Sequence, residues 1–287
     1  MGYAAASVLV SAEWVNTHRE NPDVIILDCR WRLGDPEYGH RVFAAGHIPG
    51  AQRADMERDW SAPPARYGGR HPLPTPEDFE SSMRRLGVHP SSTIIVYDDD
   101  AAGAARAWWC LTYFGHPSVH ILDGGMAEWL AWGGSLQSGP ETPVASGTFH
   151  ATPDPRMVVG YATVNQLRGH WPIIDARAPE RYWGSVEPID ARAGHIPGAL
   201  NLPYAQLLAD NNRYRAPEDI RRIASECIPD DRTDPIVYCG SGVSACVLAA
   251  ALRTSGLSPL LYPGSWSDWI AHEDAPLAGS DPSQAQK

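Results

Sequence analysis

Gly46-His47-Ile48-Pro49-Gly50-Ala51 recurs unchanged as Gly194-His195-Ile196-Pro197-Gly198-Ala199. Outward from this pair, the rest of the chain falls into two copies in the same order. Ile25-Ile26-Leu27-Asp28-Cys29-Arg30 returns as Ile173-Ile174-Asp175-Ala176-Arg177, and Pro76-Glu77-Asp78 returns as Pro217-Glu218-Asp219. Ile95-Val96-Tyr97 matches Ile236-Val237-Tyr238, and Gly124 and Trp129 match Gly264 and Trp269. Matches kept in one order along the chain mark a duplicated domain. The offset between copies is 148 residues at Gly46 but 141 at Pro76, so the first copy carries seven extra residues between Ala51 and Thr75. That longer loop contains Glu57, Arg70 and His71. Loops tolerate insertion and carry specificity, so an elaborated loop on one copy is a place to expect function.

Each copy alternates short apolar runs with helical segments. Runs at 25–27, 94–97 and 120–122 have counterparts at 173–174, 236–238 and 260–262. Such runs predict strands buried on both faces of a mainly parallel sheet. Thr75-Pro76-Glu77-Asp78 supplies a helix N-cap, a proline in the first turn and first-turn acids, with Gly87 ending the helix. The fold class is therefore α/β, two duplicated domains, each a mainly parallel sheet flanked by helices. The expected boundaries are 1–135 for the first domain, 136–156 for a Gly-, Ser-, Pro- and Thr-rich linker, and 157–280 for the second. A length of 287 residues suits two such domains.

The net charge of −11 argues against a nucleic-acid or anionic-membrane surface. It leaves a small anionic substrate open, since a few local arginines override the global sign. Five cysteines, an odd number with no CxxC pair, fit a reducing compartment and offer no zinc site. The stretch from Met1 to Trp14 lacks a basic segment, and its Val8-Leu9-Val10 run is short for a signal peptide. Ala6 stands where a myristoylation signal wants Ser or Thr. No apolar run approaches the ~18 residues of a membrane span. A cytoplasmic soluble protein is expected, with no metal or other cofactor. The 11 tryptophans, including the paired Trp129 and Trp269, read as core.

The copies differ at one junction. After its buried strand the first reads Tyr97-Asp98-Asp99-Asp100-Ala101-Ala102-Gly103; the second reads Tyr238-Cys239-Gly240-Ser241-Gly242-Val243-Ser244-Ala245. Most free cysteines are small buried hydrophobes. Here, however, the thiol precedes a Gly-rich loop and an apolar helix beginning near Ser244. Loop amides and the helix N-terminus aim positive charge at one spot, which favours a thiolate nucleophile. Gly240 and Gly242 let the backbone curl so that N–H groups converge on the sulfur or its adduct. Asp98 cannot act as a sulfur nucleophile, so one active site per chain is expected, with the first domain inactive. Cys29, Cys110, Cys227 and Cys246 read as structural.

These segments resemble the tandem-domain form of the rhodanese superfamily over essentially the whole chain. The resemblance rests on the duplicated Gly-His-Ile-Pro-Gly-Ala segments, the Asp-x-Arg strand ends, the Cys239–Ala245 loop and Gly264-Ser265-Trp266. It implies a double displacement in which Cys239 takes a sulfane sulfur as a persulfide and yields it to cyanide or a thiol acceptor, a thioredoxin-like protein included. Within the superfamily, Cys-Gly-Ser-Gly-Val is similar to the loop of 3-mercaptopyruvate sulfurtransferases. The alternative is thiosulfate as donor; thiosulfate-preferring relatives more often carry basic residues after the Cys. The resemblance further implies a Ser–His–acid constellation of Ser241, His71 and Glu57, in which the Ser hydroxyl relays a proton to an enolate leaving group. It places Arg181, with Gly240, Gly242, Val243 and Ser244, on the substrate.

There is a departure from the mercaptopyruvate pattern. Two arginines should flank a Glu-Pro segment; Arg181 matches the first, but the second position is Ile189 in Glu187-Pro188-Ile189. Arg192 and Arg70 are candidates to replace it. Arg177, like Arg30 in the first copy, reads as a fold-holding ion pair, and the repeated His47 and His195 read as structural. Two rival classes fare poorly. A Cys-based phosphatase needs C-x5-R, and the sixth residue after Cys239 is Ala245. A non-catalytic binding module has no need of an intact nucleophile loop.

Overall fold

Each Asp-x-Arg segment ends a central strand, and its register fixes the sheet around it. In the computed structural model, which describes residues 7–228 and 234–279, Asp28 lies beside Tyr97 and Asp175 beside Tyr238, both in parallel pairs. The strands are β1 (Leu9–Val10), β2 (Val24–Asp28), β3 (Gln52–Arg53), β4 (Thr93–Tyr97), β5 (Val119–Leu122), β6 (Ile173–Asp175), β7 (Leu200–Asn201), β8 (Ile236–Tyr238) and β9 (Leu260–Leu261). They form two sheets, ordered β1-β5-β4-β2-β3 and β7-β6-β8-β9, with every pair parallel. Residues of β4, β6 and β8 are buried almost throughout, because helices cover both sheet faces. No helix among the described residues is long and apolar enough to cross a membrane.

The chain divides into two compact units. The first comprises residues 7–62, 73–154 and 210–214; the second comprises 63–72, 155–209 and the described residues from 215 onward. The first has a core around Val15, Phe43, Ile48, Ile95 and Trp129. The second packs Val164, Ile173, Ile196, Trp266 and Trp269. Thr75 caps the helix Pro76–Arg85 through its side chain, and Gly87 follows with φ +78°. Residues 136–154 run along the first unit: His47 and Gln137 exchange backbone bonds, and Gly147 N–H donates to Arg84 O.

The repeated motif is a buried polar joint. Arg177 grips Asp175 through two nitrogens and donates to Gly194 O at 2.7 Å; Arg30 does the same with Asp28 and Gly46 O. Tyr97 and Tyr238 hydroxyls accept from Ile48 and Ile196 N–H at 3.2 Å. His47 and His195 bond the carbonyls of Phe43 and Tyr182 through Nδ1. The tryptophan expectation needs correction. Trp129 and Trp269 are buried, but Trp132 is 43% and Trp171 39% exposed. Trp132 is the C-cap of the helix Gly125–Ala131, its ring 5.9 Å from that of Trp129, and Trp171 lies on the surface with its indole N–H donating to Asp234 O.

Candidate active site

Strand β8 ends at Tyr238, and the next residue, Cys239, is buried. The loop then turns back on itself, so that Gly242 N–H points at Cys239 Sγ, 3.2 Å away. This turn requires glycine. Gly242 has φ +76°, and a Cβ there would come 2.2 Å from Pro263 O. Val243 is buried, and Ser244 is the N-cap of the helix Ala245–Thr254. The helix N-terminus thus opens beside the loop that carries the sulfur.

A second segment braces this loop from behind. Ser265 Oγ accepts from Cys239 N–H at 3.1 Å and donates to Tyr262 O at 2.9 Å. Trp266 and Ser267 N–H donate to Cys239 O and Gly240 O. Ser265 adopts φ +56°, a left-handed conformation that costs a non-glycine residue roughly 1–2 kcal/mol. Its two side-chain hydrogen bonds offset that strain and fix the main chain at the thiol. The sequence offered Ser265 only within the Gly264-Ser265-Trp266 match, with no role assigned to it.

Residues 63–72 belong to this unit, and they bring His71 and Arg70 to the loop. His71 Nδ1 lies 2.8 Å from Ser241 Oγ, with both side chains nearly inaccessible to water. The pair is separated by 170 residues in the chain. Glu57 belongs to the first unit, exposed at the start of the helix Met56–Asp59, where its backbone N–H donates to Asp55.

Arg181, on the helix Pro179–Trp183, donates to Glu187 and Asp190. Arg70 donates to the other oxygen of Asp190 at 2.5 Å. A Cβ placed on Gly240 would lie 3.4 Å from Arg70 Nη2 and 3.5 Å from Arg181 Nη1. Both guanidinium groups therefore look onto the residue next to Cys239. Asp190, the link between them, was not anticipated. Burial works against the charge of Glu187, yet Arg181 and the N–H groups of Asp190 and Ile189 hold its carboxyl below the usual range. Ile189 itself is exposed, and so is Arg192, whose carbonyl accepts from Trp266 Nε1.

The remaining cysteines have different surroundings. Burial pushes the thiols of Cys29, Cys110 and Cys227 up, with Asp28 and Asp98 adding to the effect at Cys29. Cys246 is buried in the helix and donates to Gly242 O. Among the described residues no cluster of three His, Cys, Asp or Glu side chains could hold a metal ion. The arrangement can present a sulfur to a backbone donor, with a hydroxyl–imidazole pair and two guanidinium groups in the same loop cluster.

The rhodanese-like domain profile matches residues 11–131 and 162–272. A Pseudomonas aeruginosa protein named "Probable 3-mercaptopyruvate sulfurtransferase" is 41% identical over 285 residues, covering 96% of this chain and all of that one. A Mycobacterium tuberculosis protein, SseB, provisionally named as a thiosulfate sulfurtransferase, is 39% identical, covering 94% of this chain and 96% of its own. The crystal structure of Escherichia coli SseA, titled as a 3-mercaptopyruvate sulfotransferase, aligns with TM-score 0.79 and 35% identity. That alignment covers 91% of this chain and 99% of SseA. With two profile matches in tandem and relatives aligned over nearly their full length, the chain belongs to the rhodanese-like domain family.

Proposed function

We propose that the chain is a sulfurtransferase that takes the sulfur of 3-mercaptopyruvate onto Cys239 and passes it to a thiol or cyanide. The observation that carries the donor choice is the 2.8 Å contact between His71 Nδ1 and Ser241 Oγ, two residues from the nucleophile. The thiolate of Cys239 attacks the donor's thiol sulfur. An S–S bond forms, the C–S bond breaks, and its electron pair leaves on carbon as the enolate of pyruvate. That enolate needs a proton. Ser241 supplies it, the Nδ1–H of His71 reprotonates Ser241, and the proton released from the donor's thiol is returned to the imidazole. The acceptor then attacks the outer sulfur and returns Cys239 to the thiolate, a ping-pong sequence. Gly242 N–H, with the loop through Val243 and Ser244, stabilises charge on the sulfur. Arg181 binds the donor's carboxylate. Glu57 enters through the family resemblance as the acid of the constellation. The relatives' names include both donors, so the choice rests on the relay. Free thiols throughout suit a reducing cytoplasm, where a thioredoxin-like protein would serve as acceptor.

Thiosulfate departs as sulfite, a weakly basic group that needs no proton. Hence His71→Ala should reduce turnover of 3-mercaptopyruvate by ~10²–10⁴-fold, the range for a lost general acid, and reduce thiosulfate turnover much less. Ser241→Ala should show the same asymmetry, and the double variant should lose little more than either single one. Equal loss with both donors would reduce His71 to shaping the cleft. A wild-type preference for thiosulfate would overturn the donor assignment.

A further inference from the structure

Ile189 stands where the family pattern wants a second donor-binding arginine, and the fold brings another to the place. We propose that Arg70, from the 63–72 loop, is the second cation that binds the anionic end of the sulfur donor; the inference deepens the sulfurtransferase reading and rests on it. Asp190, with a side chain only 2% exposed, accepts from Arg70 Nη1 through one oxygen and from Arg181 Nη2 through the other. One carboxylate thus holds two like charges side by side. Among the described residues Arg70 Nη2 and Arg181 Nη1 donate to no protein acceptor, and both look onto the Cα of Gly240 at 3.4 and 3.5 Å from a Cβ position. Arg70 Nε is a further buried donor without a partner. Two N–H donors, one from each guanidinium, suit the two oxygens of a carboxylate. A donor held there is one residue from the nucleophile.

Two other arginines of this unit, Arg177 and Arg192, do not supply such donors. Arg177 is spent on Asp175, Gly194 O and Glu187. Arg192 is exposed, with no side-chain hydrogen bond to this cluster among the described residues. The geometry also accounts for a glycine at 240, whose φ is not left-handed. A methyl group there would be in van der Waals contact with both free donors and would take up space beside them.

The test is steady-state kinetics on the full chain with 3-mercaptopyruvate, and inhibition by pyruvate as a carboxylate probe. Arg70→Ala should raise the donor KM and the pyruvate inhibition constant together, by ~10- to 100-fold for a lost charge-assisted bond, with kcat changed far less. Gly240→Ala should move the same two constants in the same direction. Arg192→Ala should leave both at wild-type values. Arg70→Gln, which keeps the stem and a donor toward Asp190, replaces the alanine variant if circular dichroism shows that variant misfolded. Wild-type constants in the Arg70 variants would overturn the proposal. If the wild type turns over thiosulfate but not 3-mercaptopyruvate, the donor reading fails separately. Arg70 is then judged on the thiosulfate KM, where a rise supports it and no change overturns it.

Discussion

Cys239 Sγ accepts from Gly242 N–H, and its own N–H donates to Ser265 Oγ, so hydrogen bonds on both sides of the residue fix its position. Cys239→Ser keeps the size and the contacts but cannot form a persulfide. It should abolish sulfur transfer with an unchanged circular dichroism spectrum. Incubation of the wild type with donor should add about 32 Da, one sulfur, to the peptide containing Cys239; that mass on Cys29 or Cys246 would reassign the nucleophile. What was legible at this scale depended on side-chain chemistry. A thiol before two glycines and a helix is a rare local pattern, and His71 was marked by a loop insertion. The roles of Ser265 and Asp190 were not legible. The first acts through a left-handed φ and the second by bridging Arg70 with Arg181, 111 residues apart in the sequence. Neither geometry leaves a local trace in residue type.

At the scale of one strand–loop–helix element, the two copies show one cradle with two occupants. Asp98 Oδ1 accepts from Ala101 N–H at 2.9 Å, as Cys239 Sγ accepts from Gly242 N–H at the equivalent position. Ala101 even adopts φ +71°, near the +76° of Gly242. The first copy therefore retains the fold of the nucleophile loop with a carboxyl group in place of the thiol. The strands were readable from short apolar runs because both sheet faces are covered, whereas β1 and β3, two residues each, were too brief to show a period. Burial, and then the neighbouring charge of Asp100, push the Asp98 carboxyl well above the ordinary aspartate value. The sign follows from linkage. Stability contributed by a group with a raised folded-state pKa is fully present below its unfolded pKa, and is lost as pH rises through the folded value. Asp98→Asn removes that loss. In urea titrations between pH 4 and neutrality, conditions spanning the ordinary aspartate value of ~3.9 upward, the variant should gain on the wild type as pH rises. A difference independent of pH would show that Asp98 has no raised pKa in the folded protein.

At the scale of the molecule, the duplication and the two structural units do not share boundaries. Residues 63–72 lie in the first copy but pack in the second unit, while 210–214 lie in the second copy and pack in the first. Sequence offsets located the insertion but could not say where it packs, since that depends on contacts some 200 residues away. Those contacts are explicit. Gly68 N–H donates to Asp268 at 2.7 Å, Arg70 N–H to Ser267 Oγ at 3.0 Å, and Tyr67 stacks on His272 at 4.5 Å. Asp268 is the central tie, because its other oxygen accepts from the Tyr262 hydroxyl at 2.5 Å within the core. Asp268→Ala leaves both donors without that acceptor, at a cost of ~1–3 kcal/mol for each that stays buried. The loop that carries Arg70 and His71 should then open more often. Amides of residues 66–71 should exchange with deuterium faster than in the wild type, while β6 and β8 keep their protection. If the loop's placement is what assembles the site, kcat/KM for 3-mercaptopyruvate should fall at least ~10-fold, by 1.4 kcal/mol of misplacement. Persulfide formation from inorganic polysulfide, a donor with no carboxylate to bind and no enolate to protonate, should fall much less. Faster exchange with undiminished kcat/KM would mean that the loop finds its place without Asp268. Equal losses with both donors would mean that Asp268 supports the Cys239 loop itself.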